Sequence, residues 1–288
     1  MGLRYLLQHP ARALATIAAD PAEVWNTAYD RFVYAQERKL PQCIYKPENS
    51  WEQRLHELLN LPWPCSTTAE FSAIFAEILA SLTSKGVKVG PESYETWNDG
   101  DVALVRAIYC LTRHLRPANV VETGVAHGVT SRIILESMAR NGLGHLWSID
   151  LPPENPELNR EIGVAVGDRF GESWTLIQGS SRRKLPELLN RLGEIDIFIH
   201  DSLHSARNVC FELDLAWPKL RKGGAVVVDD IDANYGFQRF IEGHSDYPSF
   251  ICEADPIRPD HRRVNDKGMF GMVIKEDSAS RSRTASRG

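Results

Sequence analysis

The chain has 288 residues, 43% of them hydrophobic, with 33 Lys and Arg against 38 Asp and Glu and a formal net charge of -5. That is enough for one large domain with an appendage, and the mild acidity leaves no general footprint for nucleic acid. No apolar run approaches membrane-spanning length, so no membrane partner is expected.

The start, "MGLRYLLQHPARALA", is interrupted by His9 and Pro10 and has Leu6 where a myristoylation signal needs Ser or Thr. It reads as neither a signal peptide nor a lipid anchor. Five cysteines (Cys43, Cys65, Cys110, Cys210, Cys252) lack any CxxC pairing. An odd, unpatterned set suggests reduced thiols acting as small buried hydrophobes in a cytoplasmic protein. Residues 1–95 read as a helical subdomain broken by prolines, among them Pro10, Pro21, Pro41 and Pro62. Its clearest helix is "TTAEFSAIFAEILASLTSKG", with Phe71, Ile74, Phe75, Ile78, Leu79 and Leu82 at helical spacing and Gly86 as a stop. Trp25, Tyr29, Phe32 and Tyr34 are expected to pack within the same subdomain.

From about residue 96 the pattern changes. "DGDVALVRAIYCLTRHL" is an amphipathic helix with Asp99 or Asp101 as its cap. Strands then follow at Asn119–Glu122, His145–Asp150, Trp174–Gln178, Ile195–His200 and Ala225–Asp229. Helices are expected to start near Thr130, Glu157, Leu185 and Ala206. "PSFICEA" and "GMFGMVIKE" suit a closing antiparallel pair. The continuous apolar runs of "IDIFIH" and "AVVVDD" fit strands covered on both faces. The fold class is therefore α/β, a doubly wound, mostly parallel sheet, over residues 96–276. The Ser/Arg-rich end, residues 277–288, has no apolar periodicity and is expected to be disordered.

In such sheets ligands bind beyond the carboxyl ends of the strands. At the end of the first strand stands "VVETGVAHGVTS", Val120 to Ser131. Gly124 and Gly128 make an open turn, but the dinucleotide pattern G-x-G-x-x-G fails, because Glu122 and His127 fall on two of its glycines. A carboxylate there repels a pyrophosphate and favours a cation, which disfavours a nicotinamide dehydrogenase. The stretch resembles the first motif of class I S-adenosylmethionine-dependent methyltransferases, E/D-x-G-x-x-x-G. That resemblance implies a seven-stranded Rossmann-like sheet and an S-adenosylmethionine pocket made by Glu122, Thr123, Gly124, Gly128, Thr130 and Ser131. Asp150, 26 positions after Gly124, then stands where ribose hydroxyls are held, and Gly179 and Ser180 stand beside the adenine.

Asp201 follows the fourth strand, and Asp229 and Asp230 end the fifth. Adjacent parallel strands bring these acids together, and their mutual repulsion asks for a cation. A hard divalent ion, Mg2+ or a relative, is the natural occupant of Asp201, Asp229 and Asp230. "IDIFIHDSLHSARNVCFELDLAWPKLRKGG" is similar to metal-dependent sugar and macrolide-glycoside O-methyltransferases, including His204, Asp214, Pro218, Gly223 and Gly224. The turn Ser-Leu-His after Asp201 departs from the relatives' Gly-x-His. The resemblance implies an S-adenosylmethionine- and divalent-metal-dependent enzyme that methylates a hydroxyl of a sugar or glycosylated small molecule. Asp201, which also borders the donor pocket, and His204 are then the catalytic residues, with His204 as the base. A phenol or catechol O-methyltransferase and a noncatalytic partner of the same fold are the alternatives. The gathered acids argue against the second. His200 and His204 have zinc-like spacing, but a strand-to-loop transition does not put them on one face, and His200 is expected to pack inward. Asp214 is expected to be a cap or pair partner. Asp232 and Asn234 are expected near substrate or water, and Arg182, Arg183, Lys184, His261, Arg262 and Arg263 near a polar acceptor. The sequence leaves a homo-oligomer open.

Overall fold

The computed structural model describes residues 18, 21–37, 39–40, 45–87, 101–152, 156–255 and 268–276. Cys43, Asp99, the loop at His261 to Arg263 and the tail from residue 277 lie outside them.

Among the described residues four helices precede the sheet: α1 (Pro21–Glu37), α2 (Trp51–Leu58), α3 (Thr68–Ser84) and α4 (Val102–Leu115). Asp101 caps α4, its carboxylate accepting from the amides of Ala103 and Leu104 at 2.9 and 3.1 Å. Strand β1 (Asn119–Thr123) leads into α5 (Val129–Asn141), followed by β2 (His145–Asp150) and β3 (Trp174–Gln178). Then come α6 (Ser181–Leu192), β4 (Ile195–His200), α7 (Ala206–Lys219), β5 (Leu220–Val228), α8 (Gly236–Gly243), β6 (Ser249–Glu253) and β7 (Met269–Ile274). The seven strands are ordered β3-β2-β1-β4-β5-β7-β6. The first five are parallel, and β7 runs antiparallel to both β5 and β6. The expected strands are all present; β1 extends one residue further and β5 begins earlier.

The central strands carry apolar residues at successive positions, such as Val120–Val121, Ile197–Ile199 and Ala225–Val228, because both faces are covered. Val120, Ile197, Ala225 and Val227 face a layer that includes Leu55 of α2, Ile108 of α4 and Ile134 of α5. Their sequence neighbours Val121, Phe198, Val226 and Val228 face α6, α7 and α8 through Leu188, Val209 and Phe237. Helix α3 lays Phe71, Ile74 and Ile78 against Tyr109 of α4 and Ile133 of α5. Residues 51–84 thus share their apolar core with the sheet's own helices. Removing a fully buried ring such as Phe198 costs about 3–5 kcal/mol.

Two expectations fail. The α-helix expected near Glu157 is replaced by short 3-10 turns at Pro156–Glu161 and Asp168–Phe170. Gly163 and Gly167, both at positive φ, break the helical path. The segment instead hydrogen-bonds to the first strand's loop, Gly163 N to Ala126 O at 2.8 Å and Ala165 N to His127 O at 2.9 Å. The aromatic residues of α1 do not form an interior: Trp25 is 70% exposed and Phe32 59%. The helix is held by charge instead. Asp30, buried, pairs with Arg182 at 2.7 Å and with Arg207.

Candidate active site at the strand ends

The carboxyl ends of β1, β2, β4 and β5 form one rim, and the backbone welds it together. Asp201 N donates to Thr123 O, and Asp229 N donates to His200 O, both at 2.9 Å. Gly124 sits at φ +88°, and a Cβ there would lie 1.9 Å from the Asp201 carbonyl oxygen. Gly128, at φ +80°, is pressed against Gly163 in the same way, at 2.8 Å. Both glycines therefore serve backbone-to-backbone packing within the rim.

Glu122 is fully buried. Its Oε2 accepts from Ser131 Oγ at 2.6 Å and Ser148 Oγ at 2.7 Å, while Oε1 has no hydrogen-bond partner among the described residues. Burial pushes its pKa up to about 7, against the pull of the two serine hydroxyls and with a further push from the charge of Asp150. Ser131 thus supports Glu122 from behind. Asp150, 9% exposed, accepts from Ala126 N at 3.3 Å and carries Gly179 N on its own carbonyl at 2.8 Å. Thr130 is half-buried in the first turn of α5, and Gly179 and Ser180 bridge β3 to α6. An acidic crevice with one unmatched buried carboxylate oxygen has the chemistry to receive a cationic, polyhydroxylated ligand.

On the other side of β1 the acids converge as expected, with one change of membership. Asp201, His204 and Asp229 each offer a ligand atom within 4.8 Å of the other two. Asp230 stands beside this group, its Oδ2 3.7 Å from His204 Nε2, which also lies 3.9 Å from Asp201 Oδ1. The chain turns at Asp230, in the left-handed region at φ +52°, and that separates it from Asp229. Two carboxylates at this spacing suit a divalent cation, with the His204 imidazole standing beside them. The His204 loop is held by Asn234, whose Nδ2 donates to His204 O at 3.1 Å and whose Oδ1 accepts from Gly236 N at 2.7 Å.

Beneath the rim lies Glu212, a residue the sequence reading passed over. It is fully buried on α7. Its Oε2 takes Thr123 Oγ1 and His200 Nδ1, both at 2.6 Å, and its Oε1 takes Ser202 Oγ at 2.8 Å and Asn208 Nδ2 at 2.9 Å. Burial alone would raise the pKa of Glu212, but the charge of His200 and these hydrogen bonds hold it down at about 2. Thr123 is thereby turned to Glu212, away from Glu122 and Asp150. His200 packs inward as expected and meets the His204 ring edge-on at 5.7 Å between centroids. A signal for Glu212 was present: it shares the inward stripe of α7 with Val209, Leu213 and Ala216.

Other expectations resolve differently. Asp232 is buried and accepts from Met269 N at 3.1 Å. Asp214 is exposed. Arg182 is taken up by Asp30 and by the Phe211 ring, so it is not a free anion site.

Residues 121–231 match the family model described as a methyltransferase domain. Over that span the chain is similar to methyltransferase domains. It is similar to the 8-demethyl-8-alpha-L-rhamnosyl tetracenomycin-C 2'-O-methyltransferase of Streptomyces olivaceus, 26% identical over 174 residues. That match covers 52% of this chain and 42% of the relative, so the chain spans less than half the length of the curated relative it matches. Among solved structures the fold is similar to a Klebsiella pneumoniae protein assigned as an O-methyltransferase. That likeness has a TM-score of 0.51 and 14% identity, over 79% of this chain and 97% of that one. It is also similar to cofactor-bound Rv0187 from MTB, with TM-score 0.51 and 15% identity over 81% and 100%. The matched segment runs from the second half of β1 to the turn after Asp230, the span that builds the rim. No helix among the described residues is long and apolar enough to cross a membrane.

Proposed function

We propose that the protein transfers a methyl group from S-adenosylmethionine to a hydroxyl oxygen of a sugar or glycosylated small molecule, at a divalent-metal site. The observation that carries this reading is the meeting of Asp201, His204 and Asp229 directly beside the Glu122–Asp150 crevice. The named activity of the Streptomyces relative supports the acceptor class.

When bound, S-adenosylmethionine supplies a methyl on a positive sulfur; oxygen–carbon bond formation leaves the departing electron pair on that sulfur. Glu122 contributes a buried negative charge to that side of the rim, Asp150 is the acceptor for ribose hydroxyls, and the crevice runs on to Gly179 and Ser180. Asp201 and Asp229, with Asp230 at their edge, hold the divalent ion, which when bound lowers the pKa of an acceptor hydroxyl. His204 takes the hydroxyl proton on Nε2, which faces the carboxylates of Asp201 at 3.9 Å and Asp230 at 3.7 Å. Asn234 and the Glu212 network fix the loop and strand end that present His204 and Asp201. Free thiols at all four described cysteines fit a cytoplasmic setting.

The test is methyl gain, read by mass spectrometry, across rhamnosylated, other glycosylated and catechol acceptors with S-adenosylmethionine and Mg2+. A glycoside is expected to gain the methyl, EDTA to stop turnover and Mg2+ to restore it. Asp229→Ala is expected to lower turnover at least about 100-fold, as loss of several kcal/mol of charge stabilisation requires. Full turnover by Asp229→Ala, or indifference to EDTA, would refute the metal; methylation confined to catechols would refute the acceptor class.

A further inference from the structure

Far from the rim, on the helical layer, four side chains converge that the cysteine count alone gave no reason to group. His56 of α2, Cys65 of the following loop, and Cys110 and His114 of α4 each offer a ligand atom within 4.8 Å of the other three. Cys110 and His114 are four residues apart on one helix, which places them on one face. His56 and Cys110 are buried, and Cys65 and His114 half-buried.

The edges of this cluster have a particular length. Cys65 Sγ lies 3.5 Å from His114 Nε2, and Cys110 Sγ lies 3.6 Å from His56 Nε2. A tetrahedral zinc ion bound about 2.3 Å from sulfur and about 2.0 Å from nitrogen has sulfur–nitrogen edges of about 3.5 Å. The orientation of His56 agrees: its Nδ1 lies 2.7 Å from the backbone oxygen of Glu52. If Nδ1 donates to that carbonyl, the Nε2 lone pair is left facing the sulfurs, the usual arrangement of a zinc-bound histidine. The wall around the cluster combines Trp51, Trp63 and Phe71 with the Glu52–Arg106 ion pair.

We propose that His56, Cys65, Cys110 and His114 form a structural zinc site that staples α2 and its following loop to α4. Two sulfurs and two imidazoles at tetrahedral spacing favour zinc over hard cations, and four protein ligands leave no open position for substrate. The staple joins segments distant in sequence, and α4 runs within four residues into β1, so it braces the helix that precedes the methyl-donor loop.

Cobalt(II) tests this on the full-length protein, because thiolate ligation gives a sulfur-to-cobalt charge-transfer band that an oxygen and imidazole site does not. Wild-type protein reduced, stripped and reloaded with about one equivalent of cobalt is expected to show that band and to lose it on adding zinc. Protein expressed with zinc is expected to carry the metal through gel filtration. Cys65→Ser and Cys110→Ser are each expected to weaken the band, whereas Asp229→Ala leaves it unchanged, which separates this site from the rim. Absence of the band in folded wild-type protein would overturn the proposal, as would its survival in a Cys65→Ser, Cys110→Ser double variant. So would a Cys65–Cys110 disulfide in protein purified under reducing conditions. The wild-type spectrum decides the matter even if both variants fail to fold.

Discussion

Replacing Glu122 by Gln isolates the electrostatics of the crevice proposed to take the methyl donor. The side chain keeps its shape and can still accept from Ser131 and Ser148, but it no longer ionises. In the folded protein the Glu122 pKa stands at about 7 against an ordinary 4.5, the interval caused chiefly by burial. A raised carboxylate pKa means that the folded state binds more protons than the unfolded chain between those two values. Stability therefore falls as pH rises through that window, and at about 1.4 kcal/mol per pH unit the full penalty is about 3 kcal/mol above pH 7. Below about pH 4.5 the penalty vanishes. Urea unfolding of the unliganded protein should thus find Glu122→Gln more stable than wild type by about 3 kcal/mol at pH 8 and nearly equal to it at pH 5. A difference independent of pH would show that the carboxylate is not held in a poorly solvating site, and the account of the crevice would fail. The same charge should reappear in binding. Calorimetry should find wild-type affinity for S-adenosylmethionine weakening as pH falls below 7, with proton release on binding near neutrality, and Glu122→Gln should show neither effect.

Glu212→Gln removes one partner of a buried ion pair and should cost about 3 kcal/mol at pH 7 by urea unfolding. Because the Glu212 pKa is held down at about 2, its stabilising contribution is present above the ordinary carboxylate range and is lost only as pH falls toward 2. Gly124→Ala places a methyl group 1.9 Å from the Asp201 carbonyl at a positive φ, so the rim must separate. A loss above about 4 kcal/mol is expected, read as a collapsed melting temperature or insoluble protein. His204→Gln should abolish the alkaline rise of turnover while leaving S-adenosylmethionine binding intact; an unchanged pH–rate profile would assign the proton transfer elsewhere.

The sheet was legible because its signal is local. Runs such as "IDIFIH" and "AVVVDD" declare strands covered on both faces, and each is found where the run lies. Glu122, Asp150, Asp201 and Asp229 were legible because parallel strands carry their carboxyl ends to one edge. What the sequence concealed depends on distant partners. His204 joins Asp201 and Asp229 only because the loop after β4 folds back under the hold of Asn234. The helix expected near Glu157 gave way to backbone bonds with the loop at Ala126 and His127, contacts no local propensity encodes. Cys65 and His56 meet Cys110 and His114 across a span of about fifty residues, so no short spacing announces them.

The contact between Gly124 and the Asp201 carbonyl has a consequence for change in this protein. Where β1 gives way to its loop and β4 gives way to Asp201, the two segments meet main chain to main chain, with no room for a side chain at Gly124. Neither half can be retuned independently, so a new acceptor preference must be sculpted from outside the sheet. The helices and loops that wall the crevice are the editable parts, and the floor is a fixed gauge against which each new acceptor must be aligned.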